Sequence, residues 1–314
     1  MAVPAARLSA RQRGVALITA LLVVALATVA AVAMAARQQL DVRRTANLLD
    51  GDQAYAYAVA VEGWGGKILL RDAEDNEIDK LDDAWAQRLP PIPVPGGQID
   101  GFILDLHARF NVNNLLTADG QPSEPDLAYF RRLLRALGLN ENLALAVLDW
   151  LDADFDTRFP DGAEDDVYLG LDPPYRAANR PLQSISELRL VRGMDAESWN
   201  LLAPHVCALP ARTTLNVNTA AAPLLQALVE EFAAQDGERL VEARPETGYD
   251  SVEAFLQQEA FAGREIDSAG LAVTSQFFLI RSEILVGTAR ARLFSVVERQ
   301  ANGVRTLART QGTW

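Results

Sequence analysis

Val15-Ala-Leu-Ile-Thr-Ala-Leu-Leu-Val-Val-Ala-Leu-Ala-Thr-Val-Ala-Ala-Val-Ala-Met-Ala-Ala36, entered through Arg11-Gln-Arg-Gly14, is the stretch on which the fold turns. Its 22 residues carry no charge, and at ~1.5 Å per residue a helix of that length covers ~33 Å, enough for a ~30 Å hydrocarbon core. Ala33-Met34-Ala35 has the form of a signal-peptidase site, but a removable secretory signal carries only ~7–15 apolar residues. A plain membrane anchor explains the length and leaves Gly14 without a role. A third reading is a short basic leader, with Arg7, Arg11 and Arg13, that ends in Gly14 ahead of the apolar segment.

Outward from that segment, Arg37 to Arg71 contains no proline, and Leu48, Tyr55 and Val59 fall on one helical face. One continuous helix from Val15 to about Arg71 is expected, its second half packed on a sheet and its end weakened by Gly63, Gly65 and Gly66. Residues 72–83 are strongly acidic, with a short helix expected over Ile78–Leu89, and Pro90-Pro-Ile-Pro-Val-Pro-Gly-Gly97 reads as an extended linker. Ile99–Val112 alternates, with Phe102, Leu104 and Leu106 on one face and Ile103, Asp105 and His107 on the other, as a strand requires. His107 reads as a half-exposed strand residue rather than a catalytic base, because nothing nearby in sequence supplies a nucleophile.

From Leu115 to Gly270 the pattern is helical. Pro125–Gly138 is amphipathic, Asn140 is placed to cap Glu141–Leu151, and Ser184 and Glu187 have capping-box spacing. Asn218-Thr219 precedes a helix expected over Ala220–Phe232, and Ser251 one over Val252–Phe261. From Thr274 the period returns to two: Phe278, Ile280, Ile284 and Val286 mark one strand, Leu293–Val297 another, and Asn302-Gly303 turns into Val304–Leu307. These strands need Ile99–Val112 to complete a sheet, so the helical block is an insertion. The fold class is α+β: a long N-terminal helix packed on an antiparallel β-sheet, with a large all-α domain inserted between strands. The expected divisions are a leader at 1–14, a membrane helix at 15–36, the first α/β part at 37–114, the insertion at 115–270 and the returning strands at 271–314.

The net charge of −13 repels phosphate backbones, so nucleic acid is not an expected partner, although Leu188–Met194 and Leu215–Ala221 have some likeness to DNA-binding helical hairpins. A single cysteine, Cys207, excludes an internal disulfide and a cysteine zinc cluster, and its expected place is the core. Phosphate-cradle, zincin and serine-hydrolase motifs are missing, so no catalytic residue is proposed.

Arg-Gln-Arg-Gly14 followed by Val15-Ala-Leu-Ile-Thr19 resembles the leader junction of type IV pilin-like proteins. The resemblance implies cleavage between Gly14 and Val15 by the prepilin peptidase and N-methylation of Val15. Most pilins carry Glu at the fifth mature position, where it is thought to neutralise the terminal amine of the subunit above; Thr19 stands there instead. Its absence is typical of the type II secretion minor pseudopilin K family. Phe110–Asn114, Asp149–Asp152, Gly162–Asp166, Pro174–Asn179 and Ser186–Gly193 also look like blocks of that family, and the layout is similar over nearly the whole chain. The resemblance implies a subunit at the pseudopilus tip, partnered by the I, J and H types and the inner-membrane assembly platform. It would be anchored in the bacterial inner membrane by a single span, with its body in the periplasm.

Between Asp149 and Asp172 nine acids face one base, Arg158. Folded together, such carboxylates repel unless a cation joins them, and their number fits the flexible geometry of Ca²⁺ better than the strict octahedron of Mg²⁺. Asp152-x-Asp154-x-Asp156 opens like an EF-hand loop, but Thr157 and Ala163 stand where its Gly and Glu belong. One or two structural Ca²⁺ ions are expected on Asp149, Asp152, Asp154, Asp156, Glu164, Asp165 and Asp166, and the family resemblance also implies calcium in the insertion. Two rivals are weighed against this: a membrane-anchored metal-dependent hydrolase using Asp149, Asp152, Asp154 and Glu164, and a type IV pilus minor pilin.

Overall fold

The computed structural model describes residues 10–88, 90–264 and 266–312, with side chains from residue 15. Of the expected leader, residues 1–9 lie outside the described residues, and 10–14 continue the backbone of the first helix. That helix, α1 (Ala10–Asp75), runs unbroken through the apolar segment and the alanine-rich half. The sheet-facing row is Ala54, Ala58, Val61 and Leu69, all buried, whereas Leu48 and Tyr55 are exposed. The expected face is therefore displaced, because small residues let the helix lie closer to the sheet. Gly65 belongs to this row: a Cβ there would come 2.9 Å from Ile280 Cδ1. Gly65 thus serves close packing, and the helix runs on through all three glycines to Asp75.

The chain then forms β1 (Ile92–Val94) and β2 (Gly97–Asp105). The proline-rich run is thus a hairpin and not a linker: Ile92 pairs with Ile99, and Gly96 turns the chain at φ +82°. Prolines are tolerated there because β1 is an edge strand. Residues 78–88 form turns, not the expected helix. The Asn76 carboxamide accepts from Ile78 N (3.1 Å) and the Asp83 carboxylate from Lys80 N (2.8 Å), so side chains take the amides a helix would use.

The insertion contains β3 (Phe110–Asn111), α2 (Glu124–Ala136), α3 (Leu143–Leu151), α4 (Asp165–Tyr168), α5 (Ala196–Leu202), β4 (Val206–Cys207) and β5 (Leu215–Asn216). It ends with α6 (Ala222–Gln226), α7 (Ala234–Glu242), α8 (Val252–Leu256) and β6 (Leu271–Ala272). Its regular elements are helical apart from two-residue parallel ladders, β3 with β4 and β5 with β6, each of which ties one end of the segment to its middle. The Ser184–Glu187 capping box is present and opens a 3-10 turn, and Ser251 caps α8 by accepting from Ala254 N at 3.1 Å. Asn140 instead turns the chain just ahead of α3, accepting from Asn142 N at 3.0 Å. α6 and α8 are shorter than expected, and α7 was not foreseen.

β7 (Phe277–Val286), β8 (Ala289–Gln300) and β9 (Gly303–Gln311) complete an antiparallel sheet in the order β1-β2-β7-β8-β9. Asp105 lies opposite Phe278, so the chain leaves from and returns to neighbouring strands. At that joint Asp105, buried, accepts from Thr219 Oγ1 (2.5 Å), Ser275 Oγ (2.7 Å) and Asn216 Nδ2 (3.3 Å). His107 is buried there rather than half-exposed, because the returning chain covers it: its carbonyl accepts from Asn216 N at 2.9 Å and its Nε2 from Gln276 N at 3.2 Å. Burial pushes its pKa down to about 4, which keeps the ring neutral. Cys207 is buried beside Leu106 and Phe277, as expected.

Candidate functional site

The acidic loop begins where α3, buried along its whole length, runs out of apolar residues at Leu151. Asp149, on the last turn of that helix, is fully buried and given over to Arg158: its Oδ2 accepts from Arg158 N (3.1 Å) and its Oδ1 from Arg158 Nη1 (2.8 Å). Asp152 caps the helix at its C-terminal end, is 2% exposed, and accepts from Arg158 Nη1 through Oδ2, while its Oδ1 is buried without a hydrogen-bond partner. Glu164 precedes the first turn of α4; it is also 2% exposed, and neither carboxylate oxygen has a partner. Asp154 completes the group from the solvent side. One oxygen from each of Asp152, Asp154 and Glu164 lies within 4.8 Å of the others.

Of the seven acids expected to hold metal, the fold therefore converges three. Asp165 accepts from Ala177 N (3.0 Å) and faces Arg176 (3.4 Å), Asp166 caps its own turn through Val167 N (2.9 Å), and Asp156 is exposed. Gly162 makes the closure possible: a Cβ there would stand 2.3 Å from Asp149 Oδ2 and 2.4 Å from the Arg158 carbonyl. Beneath the loop, Tyr168 packs edge-on against Trp150 (5.1 Å) and stacks on Tyr175 (5.4 Å).

Burial pushes the Glu164 carboxyl up to about 7, with Asp149, Asp152 and Asp154 adding to the rise. Burial likewise lifts Asp152 to about 6, against the pull of Arg158. Burial is the larger cause of both rises, so the metal reading rests on the unpaired oxygens and not on the acidity. The donor set of hard oxygens, with one carboxylate left wholly unpaired, fits Ca²⁺. The sequence reading gave no role to Asn179. It sits at φ +46°, donates from Nδ2 to the Asp154 carbonyl (3.0 Å), and keeps a buried Oδ1 without a partner. A backbone held in that region by a residue other than glycine is the signal that singles it out.

A second acidic triad lies at the foot of α1. Asp72, Asp79 and Asp83 are buried with one oxygen each within 4.8 Å of the others. Arg299, on β8, reaches Asp72 Oδ2 (3.4 Å) and Asp79 Oδ2 (2.5 Å), and Lys80 reaches Asp83 Oδ1 (3.1 Å). Ser275 N and Trp85 Nε1 donate to Asp79 and Asp83 at 2.7 and 3.3 Å. The partner that closes this triad is 220 residues from Asp79 in sequence, which is why the acidic run alone did not reveal it.

The other functional surface is α1 itself. Every residue from Val15 to Leu49 is exposed, and the span from Val15 is long and apolar enough to cross a membrane. Within it, Thr19 and Thr28 return their hydroxyls to the carbonyls of Ala16 (3.0 Å) and Val24 (2.8 Å), so neither leaves a polar hydrogen facing outward.

A long, half-uncovered N-terminal helix on an antiparallel sheet, with a helical insertion, defines a pilin-like subunit. Comparison with known proteins makes the class specific. Two adjoining stretches, residues 108–211 and 215–274, match the family described as Type II secretion system (T2SS), protein K. Type II secretion system protein K of Pseudomonas aeruginosa is 38% identical over 96% of this chain and 93% of its own length. That of Klebsiella pneumoniae is 38% identical over 97% and 98%. A chain in the crystal structure of the GspK-GspI-GspJ complex from the enterotoxigenic Escherichia coli Type 2 Secretion System superposes with a TM-score of 0.76 at 30% identity, covering 86% of this chain and all of that one. The chain belongs to the type II secretion system protein K family. That family is a structural component of a secretion machine and not a class of enzyme, so the hydrolase and pilus readings lose their footing.

Proposed function

We propose that this chain is the minor pseudopilin at the tip of a type II secretion pseudopilus. It starts the fibre together with the I-, J- and H-type minor pseudopilins and so supports export of folded proteins across the outer membrane. The observation that carries this reading is α1: one rod, packed on the sheet from Ala54 onward and bare from Val15 to Leu49. The apolar part of that bare rod, Val15–Ala36, needs either lipid or neighbouring helices, and its many alanines suit close helix contacts. The solved complex of the related protein with GspI and GspJ supports the I- and J-type partners. Thr19 gives the helix no carboxylate with which to neutralise a subunit above, and the bulk of the insertion would hinder another subunit from stacking there.

Before assembly the chain is held in the inner membrane by this helix, with its body in the periplasm. The prepilin peptidase removes residues 1–14, and Val15 is N-methylated. Mass spectrometry of the mature N-terminus tests the processing: a methylated Val15 supports it, while an intact Met1 or a start near Ala36 removes it. Gold labelling of isolated pseudopili tests the position, since repeated label along the fibre would rule out a tip subunit.

In the same reading the insertion holds structural Ca²⁺, one or two ions, with Asp152, Asp154 and Glu164 as the converging ligands. The ion would supply the positive charge the buried carboxylates lack and fix the loop between α3 and α4. Calorimetric titration of the detergent-solubilised protein tests this. The expected result is calcium binding that Glu164→Gln abolishes; no heat and no melting shift at millimolar calcium would remove the metal.

A further inference from the structure

The acidic loop already contains one positive charge of its own. Arg158 donates from Nη1 to Asp149 Oδ1 (2.8 Å) and to Asp152 Oδ2, its Nη2 stands 3.9 Å from Asp154 Oδ2, and its backbone N–H is bound to Asp149 Oδ2 (3.1 Å). It is the only base among nine acids between Asp149 and Asp172. This arrangement divides the cluster in two. The oxygens facing the guanidinium have donors, whereas Asp152 Oδ1 and both oxygens of Glu164 have none.

Resting on the calcium reading above, we propose that Arg158 is the affinity-determining residue of the centre. It is a tethered cation that holds the empty loop together and opposes the entry of the divalent ion. Two effects of the guanidinium compete, and the geometry decides between them. As a positioning group it orients Asp149 and Asp152, which would favour binding. Both acids, however, are held by other means. Asp149 sits within the buried α3 and is also bound by a backbone N–H, and Asp152 closes the same helix with its own N–H on the Leu148 carbonyl (3.0 Å). Removing the side chain of Arg158 therefore leaves the backbone that carries Asp152 in place and frees its carboxylate for the ion. What it chiefly removes is a fixed positive charge within salt-bridge distance of two of the three converging ligands, and like charges at that range repel strongly out of bulk water. The ion and the guanidinium share Asp152, so occupancy by one weakens the hold of the other.

The test uses the full-length protein in detergent, as wild type, Arg158→Gln and Arg158→Lys. Calcium chloride is titrated by calorimetry, and melting is followed in chelator and in excess calcium. Arg158→Gln is expected to bind calcium at least tenfold more tightly than wild type while melting lower in chelator. Arg158→Lys, which keeps the charge, should stay within threefold of wild-type affinity. A glutamine variant that folds only when calcium is present also supports the proposal, because the ion then replaces the lost cation. Unchanged or weaker binding by Arg158→Gln overturns it, as does a variant that remains unfolded in excess calcium or a tenfold change in Arg158→Lys. Wild-type protein that binds no calcium removes the centre itself and this inference with it; binding by wild type without tightening in Arg158→Gln removes the inference alone.

Discussion

At the foot of α1, Asp72, Asp79 and Asp83 meet in a buried cluster; between α3 and α4, Asp152, Asp154 and Glu164 meet in another. The raw material is nearly the same, and the outcome differs. In the first, Arg299 and Lys80 reach the carboxylates and a single oxygen, Asp79 Oδ1, is left without a donor. In the second, Arg158 reaches one side, and Glu164 has no partner at all. The number of acids does not separate a structural cluster from a metal centre. What separates them is how many buried oxygens the fold leaves without a donor, one in the first cluster against three in the second.

The sharpest way to break this comparison is Arg299→Met. Loss of the guanidinium strands Asp72 and Asp79 in the interior, and breaking a buried pair in this way costs roughly 3–5 kcal/mol. The melting temperature should fall equally in calcium and in chelator; a loss that calcium repairs would make the first cluster a metal site as well. Calcium itself is the next largest effect. At a hundredfold excess over its dissociation constant it should stabilise wild type by about 2.7 kcal/mol. Denaturant midpoints should show that gain vanishing in Glu164→Gln and persisting in Asp83→Asn.

Acidity gives a third handle. Burial, with Asp83 and Asp79 adding to it, pushes the Asp72 carboxyl up to about 7 from an ordinary value of 3.8. The folded chain thus keeps a proton that the unfolded chain releases. The resulting stabilisation is full below about pH 4 and is lost as pH rises toward 7, on the order of 2 kcal/mol between pH 5 and 8. Denaturant melts of wild type and Asp72→Asn in chelator should differ by that slope; parallel pH profiles would show that Asp72 is ionised throughout. The smallest loss expected is that of Gly162→Ala, which crowds Asp149 and the Arg158 backbone and should cost roughly 1–2 kcal/mol. It should also weaken calcium binding, whereas an alanine at Gly63, in the interior of α1 with no atom within 4 Å of its Cβ, should leave calcium binding unchanged and stabilise the fold by roughly 0.5–1 kcal/mol.

Much of the stem was legible because its signals are local. A proline-free, alanine-rich run gives a helix, and the alternation of Phe278, Ile280, Ile284 and Val286 gives a strand whose inward face is fixed. The mistakes share a cause. Residues 78–88 look helical by composition, yet Asn76 and Asp83 take the backbone amides; the prolines of 90–95 look like a linker, yet an edge strand accepts them. His107 looked half-exposed because nothing in its own strand announces the chain that returns over it. In the loop, the acid count pointed to the right neighbourhood. Which three acids converge was decided by Gly162, by the two claims of Arg158 on Asp149, and by the backbone of Asn179, none of which a spacing rule contains.

The departure and return of the insertion through β2 and β7 make the whole excursion a detour on a hairpin. Leu106 N already donates to the Phe277 carbonyl at 3.0 Å across its base. A protein engineer could therefore shorten the detour to a tight turn, or graft a foreign payload in its place, while the strands below keep their order. The rod and its sheet are thus a carrying handle, and what is carried at the top is free to vary.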